Sequence, residues 1–226
     1  HIPVTTPVIF GGGINEKNFR AVVANASADR YLLSSSLIEG NFDCSDRLAE
    51  IVGLQAIIGS FHHAVEGYKI ADKLAQNNVC ASMWADWWGF KLEAYDAIRE
   101  NIPMVHAAGA CAVVHSDSDI GIQRLNQEAA KAWSDGRRAG IDISQADAWQ
   151  WLAANPAKSL GIFDQTGSLE VGKNADVVLW SADPFSTYAQ AEKVYIDGGL
   201  AFDRSAPDTW PVSDFELGQI GEGDHK

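Results

Sequence analysis

The sequence is poor in positive charge, in cysteine and in long apolar runs, and each shortage excludes a class of protein. Its 226 residues carry 17 lysines and arginines against 30 aspartates and glutamates, for a formal net charge of −13. We therefore do not expect it to bind nucleic acid or an anionic membrane surface. No apolar run approaches the roughly 20 residues that a membrane span needs. The expected partners are a small-molecule substrate and further copies of the chain.

The three cysteines, Cys44, Cys80 and Cys111, are widely spaced, form no C-x-x-C motif and cannot all pair. We expect them to be small buried side chains of a protein from a reducing compartment. No basic segment followed by an apolar core opens the chain, so the expected location is the cytoplasm. The sequence begins at His1 and not at a methionine, which leaves room for residues upstream.

Short apolar runs alternate with helical periodicity over residues 1–160. This alternation predicts a parallel sheet with crossover helices, an α/β fold of the (β/α) barrel kind. The predicted strands lie at 7–11, 29–33, 55–61, 79–84 and 110–115, and the predicted helices at 15–26, 46–52, 67–76, 93–108, 122–139 and 144–154.

The pattern changes after Gly161. Turn-rich sequence and short strands, with a hairpin turn at Asp197-Gly198-Gly199, predict a small β appendage over 161–204. The tail, residues 205–226, shows little periodicity and is expected to be irregular.

Two predicted strand ends carry side chains that bind metals. His62 and His63 end one strand and point to opposite faces, so one of them faces the barrel mouth. Asp117 follows another strand, where a carboxylate can share a metal with an imidazole or act as a base. The alternatives are a structural role for the histidines and helix capping for the acids. Asp119, nearer the helix, fits the capping role better than Asp117 does.

Two further segments allow two interpretations each. The aromatic loop with Trp84, Trp87, Trp88 and Phe90, ending at Lys91, forms either a wall of a substrate pocket or a hydrophobic plug. The glycines 11–13, followed by a helix, and the serines 34–36 at the next strand end form either an anion cradle or a tight turn.

Four motifs resemble the amidohydrolase superfamily, in its imidazolonepropionase-like branch, over about 61–204. They are Phe-His-His-Ala-Val-Glu-Gly-Tyr-Lys-Ile-Ala-Asp (61–72), Val-Val-His-Ser-Asp-Ser-Asp (113–119), Asn-Pro-Ala-Lys-Ser-Leu-Gly-Ile (155–162) and Gly-Ser-Leu-Glu-Val-Gly-Lys-Asn-Ala-Asp-Val-Val-Leu-Trp (167–180). The resemblance implies a (β/α)8-type TIM barrel, incomplete in this chain, with a β-sandwich remnant at 161–204.

The resemblance also implies a metal-dependent hydrolase of amide or cyclic amide C–N bonds that uses a divalent metal, expected to be zinc. His63 and Asp117 are then catalytic, and His62, His63 and Asp117 are the expected metal ligands. His115, Trp87 and Lys91 are the expected substrate-binding residues. The family's strand-one His-x-His, strand-four Lys and strand-five His are not identifiable in this chain, so we expect poor activity from the chain alone.

Residues 6–60 resemble a different barrel, the cyclase subunit of imidazole glycerol phosphate synthase. The matching segments are Thr-Pro-Val-Ile-Phe-Gly-Gly-Gly-Ile (6–14), Ala-Asp-Arg-Tyr-Leu-Leu-Ser-Ser-Ser (28–36) and Leu-Gln-Ala-Ile-Ile-Gly (54–59). This resemblance implies phosphate binding by Gly13, Ser34 and Ser35, and a switch between families near residue 60. The alternative functions are therefore a phosphate-ligand-binding barrel and a non-catalytic barrel fragment that needs a partner. Exposed strand edges of such a fragment favour a homo-oligomer.

Overall fold

The chain divides into two compact units, residues 1–173 and 174–226. The structure is a computed structural model that describes residues 9–11, 30–34 and 58–210. The first unit extends to Lys173, beyond the predicted end of the barrel portion at residue 160. The proposed family switch near residue 60 stays a prediction.

Five parallel strands form one sheet in the first unit, in chain order. They are β1 (Ile9–Gly11), β2 (Arg30–Ser34), β3 (Ile58–His62), β4 (Cys80–Met83) and β5 (Cys111–Val114). The α/β class and the parallel order are confirmed, because apolar runs buried on both faces are typical of such strands. The described strands form an open sheet and not a closed barrel.

The structure describes five α-helices in the first unit, and the first four lie at or near predicted positions. They are α1 (Ala71–Gln76), α2 (Asn101–Ala107), α3 (Leu125–Arg138), α4 (Gln145–Gln150) and α5 (Ala154–Leu160). The helices predicted at 15–26 and 46–52 lie outside the described residues. Ser144 caps α4 as predicted: its Oγ accepts from Asp147 N at 3.1 Å, and the Asp147 carboxylate accepts from Ser144 N.

Two prolines fall in or beside the predicted helices, with different outcomes. The sequence predicts a helix over 93–108 with a break or new start at Pro103, and the new start is confirmed: Leu92–Ala94 is a 3₁₀ turn, and Pro103 lies in the first turn of α2. Asn155 and Pro156 were predicted to stop a helix, but they lie in the first turn of α5. A proline there loses no helical hydrogen bond, since first-turn N–H groups have no partner within the helix.

Asn101 fastens the segment that follows β3 to the first turn of α2. This buried side chain donates from Nδ2 to the carbonyls of Ala64 and Val65, at 2.8 and 3.2 Å, and its Oδ1 accepts from Tyr68 N at 2.8 Å. Buried backbone groups need such partners. The histidine at position 63 is therefore followed by a fixed backbone.

Cys80 and Cys111 form a disulfide, which corrects the prediction of free buried thiols. They are the first residues of β4 and β5 and lie directly opposite each other in the sheet, with Cα atoms 4.3 Å apart. Their pairing depends on the register of two parallel strands, which sequence spacing does not reveal. The cysteines therefore no longer argue for a reducing compartment. Cys44 lies outside the described residues.

The second unit is a three-stranded antiparallel sheet of β6 (Val177–Trp180), β7 (Ala191–Ile196) and β8 (Gly199–Asp203). Asp197 and Gly198 join β7 to β8 with φ of 50° and 76°, as a two-residue hairpin requires. Of the predicted tail, Pro207–Thr209 forms a 3₁₀ turn. No helix within the described ranges is both long and apolar enough to cross a membrane.

Candidate active site at the carboxyl edge of the sheet

Three neighbouring strands bring histidine and tryptophan side chains to one edge of the parallel sheet. His62 is the last residue of β3, Trp84 follows β4, and His115 follows β5. Backbone bonds extend the strand pairing past these ends: His115 N donates to Met83 O at 3.1 Å, and Ala64 N donates to Ser82 O at 3.1 Å. In barrels of this architecture, the carboxyl edge carries the chemistry.

The three histidines form a triangle. Ring centroids lie 5.2 Å apart for His63 and His115, 6.0 Å for His62 and His115, and 6.2 Å for His62 and His63. His63 has a left-handed backbone, with φ of 55°, which is rare for a residue other than glycine. Strain of this kind accumulates at functional sites.

The indole of Trp84 packs on two of these imidazoles. Its centroid lies 5.0 Å from that of His63 and 5.1 Å from that of His115, with the latter pair stacked. Trp84 is 9% exposed. The edge of the sheet therefore carries a continuous aromatic cluster with four ring systems.

Several polar atoms of this cluster are buried without a hydrogen bond. In the described part of the chain no partner reaches Nε2 of His62, Nε2 of His115 or Nε1 of Trp84. Such atoms cost about 1–3 kcal/mol each, so a group of them indicates a site built for a ligand.

Burial favours the neutral form of the imidazoles of His62 and His115. Burial, followed by the charges of His63 and His62, lowers the pKa of His115 to about 4, and Asp117 opposes this shift. Burial, followed by the charge of His63, also lowers the pKa of His62. Neutral imidazoles offer a lone pair to a ligand at neutral pH.

Asp117 and Asp119 have different surroundings, although both are exposed. The Asp117 carboxylate acts on the pKa of His115, so it lies within electrostatic reach of the histidine triangle. The Asp119 carboxylate accepts from Ile120 N at 3.0 Å, and Ser118 Oγ accepts from Gly121 N at 3.0 Å. The 3₁₀ turn that follows, Gly121–Arg124, has no side-chain cap, so the division of roles between the two acids stays a prediction.

The donor set does not complete a metal centre. Among the side chains that the structure describes, no group of three or more His, Cys, Asp or Glu residues is placed to hold a metal ion. The buried imidazole nitrogens suit zinc chemically, but protein zinc sites take at least three protein ligands. The assignment of His62, His63 and Asp117 as metal ligands therefore stays a prediction.

The predicted substrate-binding residues lie on the loop after β4 and beside the triangle. His115 belongs to the triangle itself, Trp87 stacks on Trp84 at 5.3 Å, and Lys91 Nζ lies 5.2 Å from the Phe90 ring centroid. Of the predicted phosphate-binding residues, Ser34 ends β2 opposite His62. Gly13 and Ser35 lie outside the described residues.

Sequence reasoning missed the role of Asn101. A polar residue two positions before a proline, inside a predicted helix, could have marked a helix start and not a helix interior. Its three bonds to the segment after β3 depend on contacts distant in sequence, which no local pattern contains.

The sequence profile of the amidohydrolase family matches residues 70–201. The chain belongs to the amidohydrolase family. Amidohydrolase tasK of Hapsidospora irregularis is 30% identical over 151 residues, which are 65% of this chain and 15% of that protein. N-acetylglucosamine-6-phosphate deacetylase of Vibrio furnissii is 44% identical over 65 residues, or 29% of this chain and 15% of that protein.

Solved amidohydrolase structures share the fold. An amidohydrolase of Thermotoga maritima superposes with a TM-score of 0.63 at 28% identity, over 77% of this chain and 43% of that one. An adenosine deaminase of Xanthomonas campestris, solved with bound zinc, has a TM-score of 0.61 at 18% identity, over 84% of this chain and 49% of that one. The chain thus spans less than half of these structures and about a seventh of the curated relatives. The imidazolonepropionase-like branch and the cyclase resemblance stay predictions.

Proposed function

We propose that this chain forms the carboxyl-edge wall of an amidohydrolase active site that cleaves C–N bonds of amides or cyclic amides. The observation that carries the proposal is the triangle of His62, His63 and His115, whose rings meet beside Trp84 at the edge where barrel enzymes work. Family membership supplies the reaction class. The relatives include proteins named as a deacetylase, a probable allantoinase and a urease subunit.

The proposed reaction is hydrolysis. Water adds to the carbonyl carbon and Asp117 accepts a proton of that water. Asp117 then passes this proton to the leaving nitrogen as the C–N bond breaks, which gives the amine and the carboxylic acid and restores the carboxylate of Asp117. His63 orients the substrate carbonyl, and His115 and Trp84 line the site beside it. Asp117 suits the acceptor role because it is exposed to solvent and lies within electrostatic reach of the triangle.

The chain alone is proposed to hydrolyse slowly. Divalent metals are generic to the family, and the described side chains do not provide three ligands.

The first experiment measures metal content and amine release from N-acyl amino acids and cyclic amides, with and without added zinc. We expect substoichiometric zinc and slow hydrolysis. Near-stoichiometric zinc together with fast turnover would overturn the claim of poor activity while supporting the reaction class.

The second experiment compares two aspartates on the same loop. Removing a proton acceptor in Asp117→Asn should lower the residual rate by about a hundredfold or more. Asp119→Asn is the matched control, since Asp119 bonds only local backbone, and its rate should change little. Equal rates for the two variants would count against the assignment of Asp117.

A further inference from the structure

The aromatic cluster continues from the buried triangle to the surface as a ladder of rings. Trp84 stacks on Trp87 at 5.3 Å, and Phe90 lies 5.1 Å from Trp87 and 6.1 Å from Trp84. Exposure rises outward along the ladder, from 9% for Trp84 to 36% for Trp87 and 50% for Phe90. The inner ring is a plug, and the outer two present apolar surface to solvent.

Backbone hydrogen bonds hold the loop that carries the ladder. Gly89 N donates to Ala94 O at 2.8 Å, and Ala94 N donates to Lys91 O at 3.0 Å. Ala94 is buried in a small cluster with Val65 and Trp84. Trp87 has φ of 61°, a conformation that a bulky residue rarely adopts. Surrounding structure must hold such a residue, and this strain is common at ligand-binding positions.

A cation marks the outer end of the ladder. Lys91 Nζ lies 5.2 Å from the centroid of the Phe90 ring, and no carboxylate among the described side chains pairs with it. The chain has a net charge of −13, and this lysine has no carboxylate partner among the described side chains, so its position beside exposed rings favours an anionic group.

Arg99 provides a contrast within the same loop. Its guanidinium lies 4.5 Å from the centroid of Trp88, beside a cavity of about 320 Å³ that is also lined by the carboxylates of Asp86 and Asp135. Those acids are paired with Lys131 and Arg138, which line the same cavity. Trp88 is not a ring of the ladder, so Lys91, and not Arg99, is the cation that lies beside the ladder.

We propose that the active site selects amides with a flat aromatic acyl group and a carboxylate, with the ring against Trp87 and Phe90 and the carboxylate at Lys91. This inference rests on the proposed function for the location of the scissile bond. The unpartnered Nε1 of Trp84 supports it, since that N–H remains available to an acceptor of such a ligand.

The test is a ligand-observed NMR titration with three probes that differ by one feature each. N-benzoylglycine has ring, amide and carboxylate; N-acetylglycine lacks the ring; benzamide lacks the carboxylate. We expect N-benzoylglycine to bind about tenfold more tightly than N-acetylglycine, the size of one aromatic stacking contribution. Equal affinities, or no binding of N-benzoylglycine, would overturn the inference.

Four variants locate the contacts. Trp87→Ala should weaken N-benzoylglycine about tenfold, whereas Tyr188→Ala, which removes an exposed ring of the second unit, should not. Lys91→Gln should weaken N-benzoylglycine about threefold and leave benzamide unchanged, and Arg99→Gln should change neither. Circular dichroism checks that each variant is folded. Equal binding by Trp87→Ala and the unaltered chain would overturn the inference.

Glycine release, measured in the same samples, separates this inference from the proposed function. Ring-dependent binding without glycine release would support the inference and count against hydrolysis by this chain. Hydrolysis of N-acetylglycine at the rate of N-benzoylglycine would support the proposed function and overturn the inference.

Discussion

The amino and carboxyl ends of β4 and β5 differ in whether their buried side chains have bonding partners. At the amino ends, Cys80 and Cys111 are joined covalently. At the carboxyl ends, Trp84 Nε1 and His115 Nε2 are buried, and no hydrogen-bond partner for them lies in the described part of the chain. The strands are four residues long, so the difference arises over a short distance in one sheet.

This difference separates stability from function. A disulfide raises the free energy of the unfolded chain and hydrogen-bonded partners lower that of the folded chain, whereas unpartnered buried polar atoms raise the free energy of the folded chain. Folded proteins keep such atoms mainly where a ligand uses them. Substitutions at the amino end and in the helices should therefore destabilise the fold, and substitutions at the carboxyl edge should affect mainly binding.

Removing the disulfide should have the largest effect on stability. A bridge across a sequence separation of 31 residues restricts the unfolded chain, and Cys80→Ser with Cys111→Ser should lower the free energy of unfolding by about 3–4 kcal/mol. Urea denaturation measures the change. Reduction of the unaltered chain with dithiothreitol should reproduce it, and an unchanged midpoint in both would show that the amino end is not held covalently.

Asn101→Ala should have the next largest effect. Its loss removes the partners of Val65 O and Tyr68 N and leaves Ala64 O with the bond from Gly67 N alone, which should cost about 2–3 kcal/mol. The control is Asn77→Ala, because Asn77 is exposed and makes one bond, to Lys73 O. A loss no larger than that of the control would contradict the positioning role of Asn101.

The described strands could be predicted from the sequence because each is an apolar run bounded by turn residues. Sequence reasoning placed His62, His63 and Asp117 at strand ends for the same reason. It did not find the Cys80–Cys111 bridge, which requires the register of two strands, nor the bonds of Asn101. Local patterns report periodicity and turns, whereas these contacts form between segments 31 or more residues apart.

The same substitution at two histidines should change stability in opposite directions. His115→Phe keeps a ring against Trp84 and removes an unpartnered nitrogen, so it should raise the free energy of unfolding by up to about 1 kcal/mol at pH 8. His106→Phe removes the acceptor of the Trp151 indole N–H, 3.2 Å away, and should lower it by about 1 kcal/mol. If both variants were destabilised by a similar amount, His115 at the carboxyl edge would not differ from His106 in α2 in its effect on stability.

The smallest effect concerns pH and again uses His106. Burial lowers the pKa of His106 below its ordinary 6.5, with Asp147 opposing the shift. The unfolded chain therefore binds the proton first as pH falls, so the contribution of His106 to stability is complete above about pH 6.5 and decreases below it. His106→Gln does not titrate and retains an acceptor for Trp151. From pH 7 to pH 5, the free energy of unfolding of the unaltered chain should therefore fall relative to that of the variant, as measured by urea denaturation. A stability difference independent of pH would mean that burial does not lower the pKa of His106. His106 and His115 would then differ only in whether a hydrogen-bond partner is present.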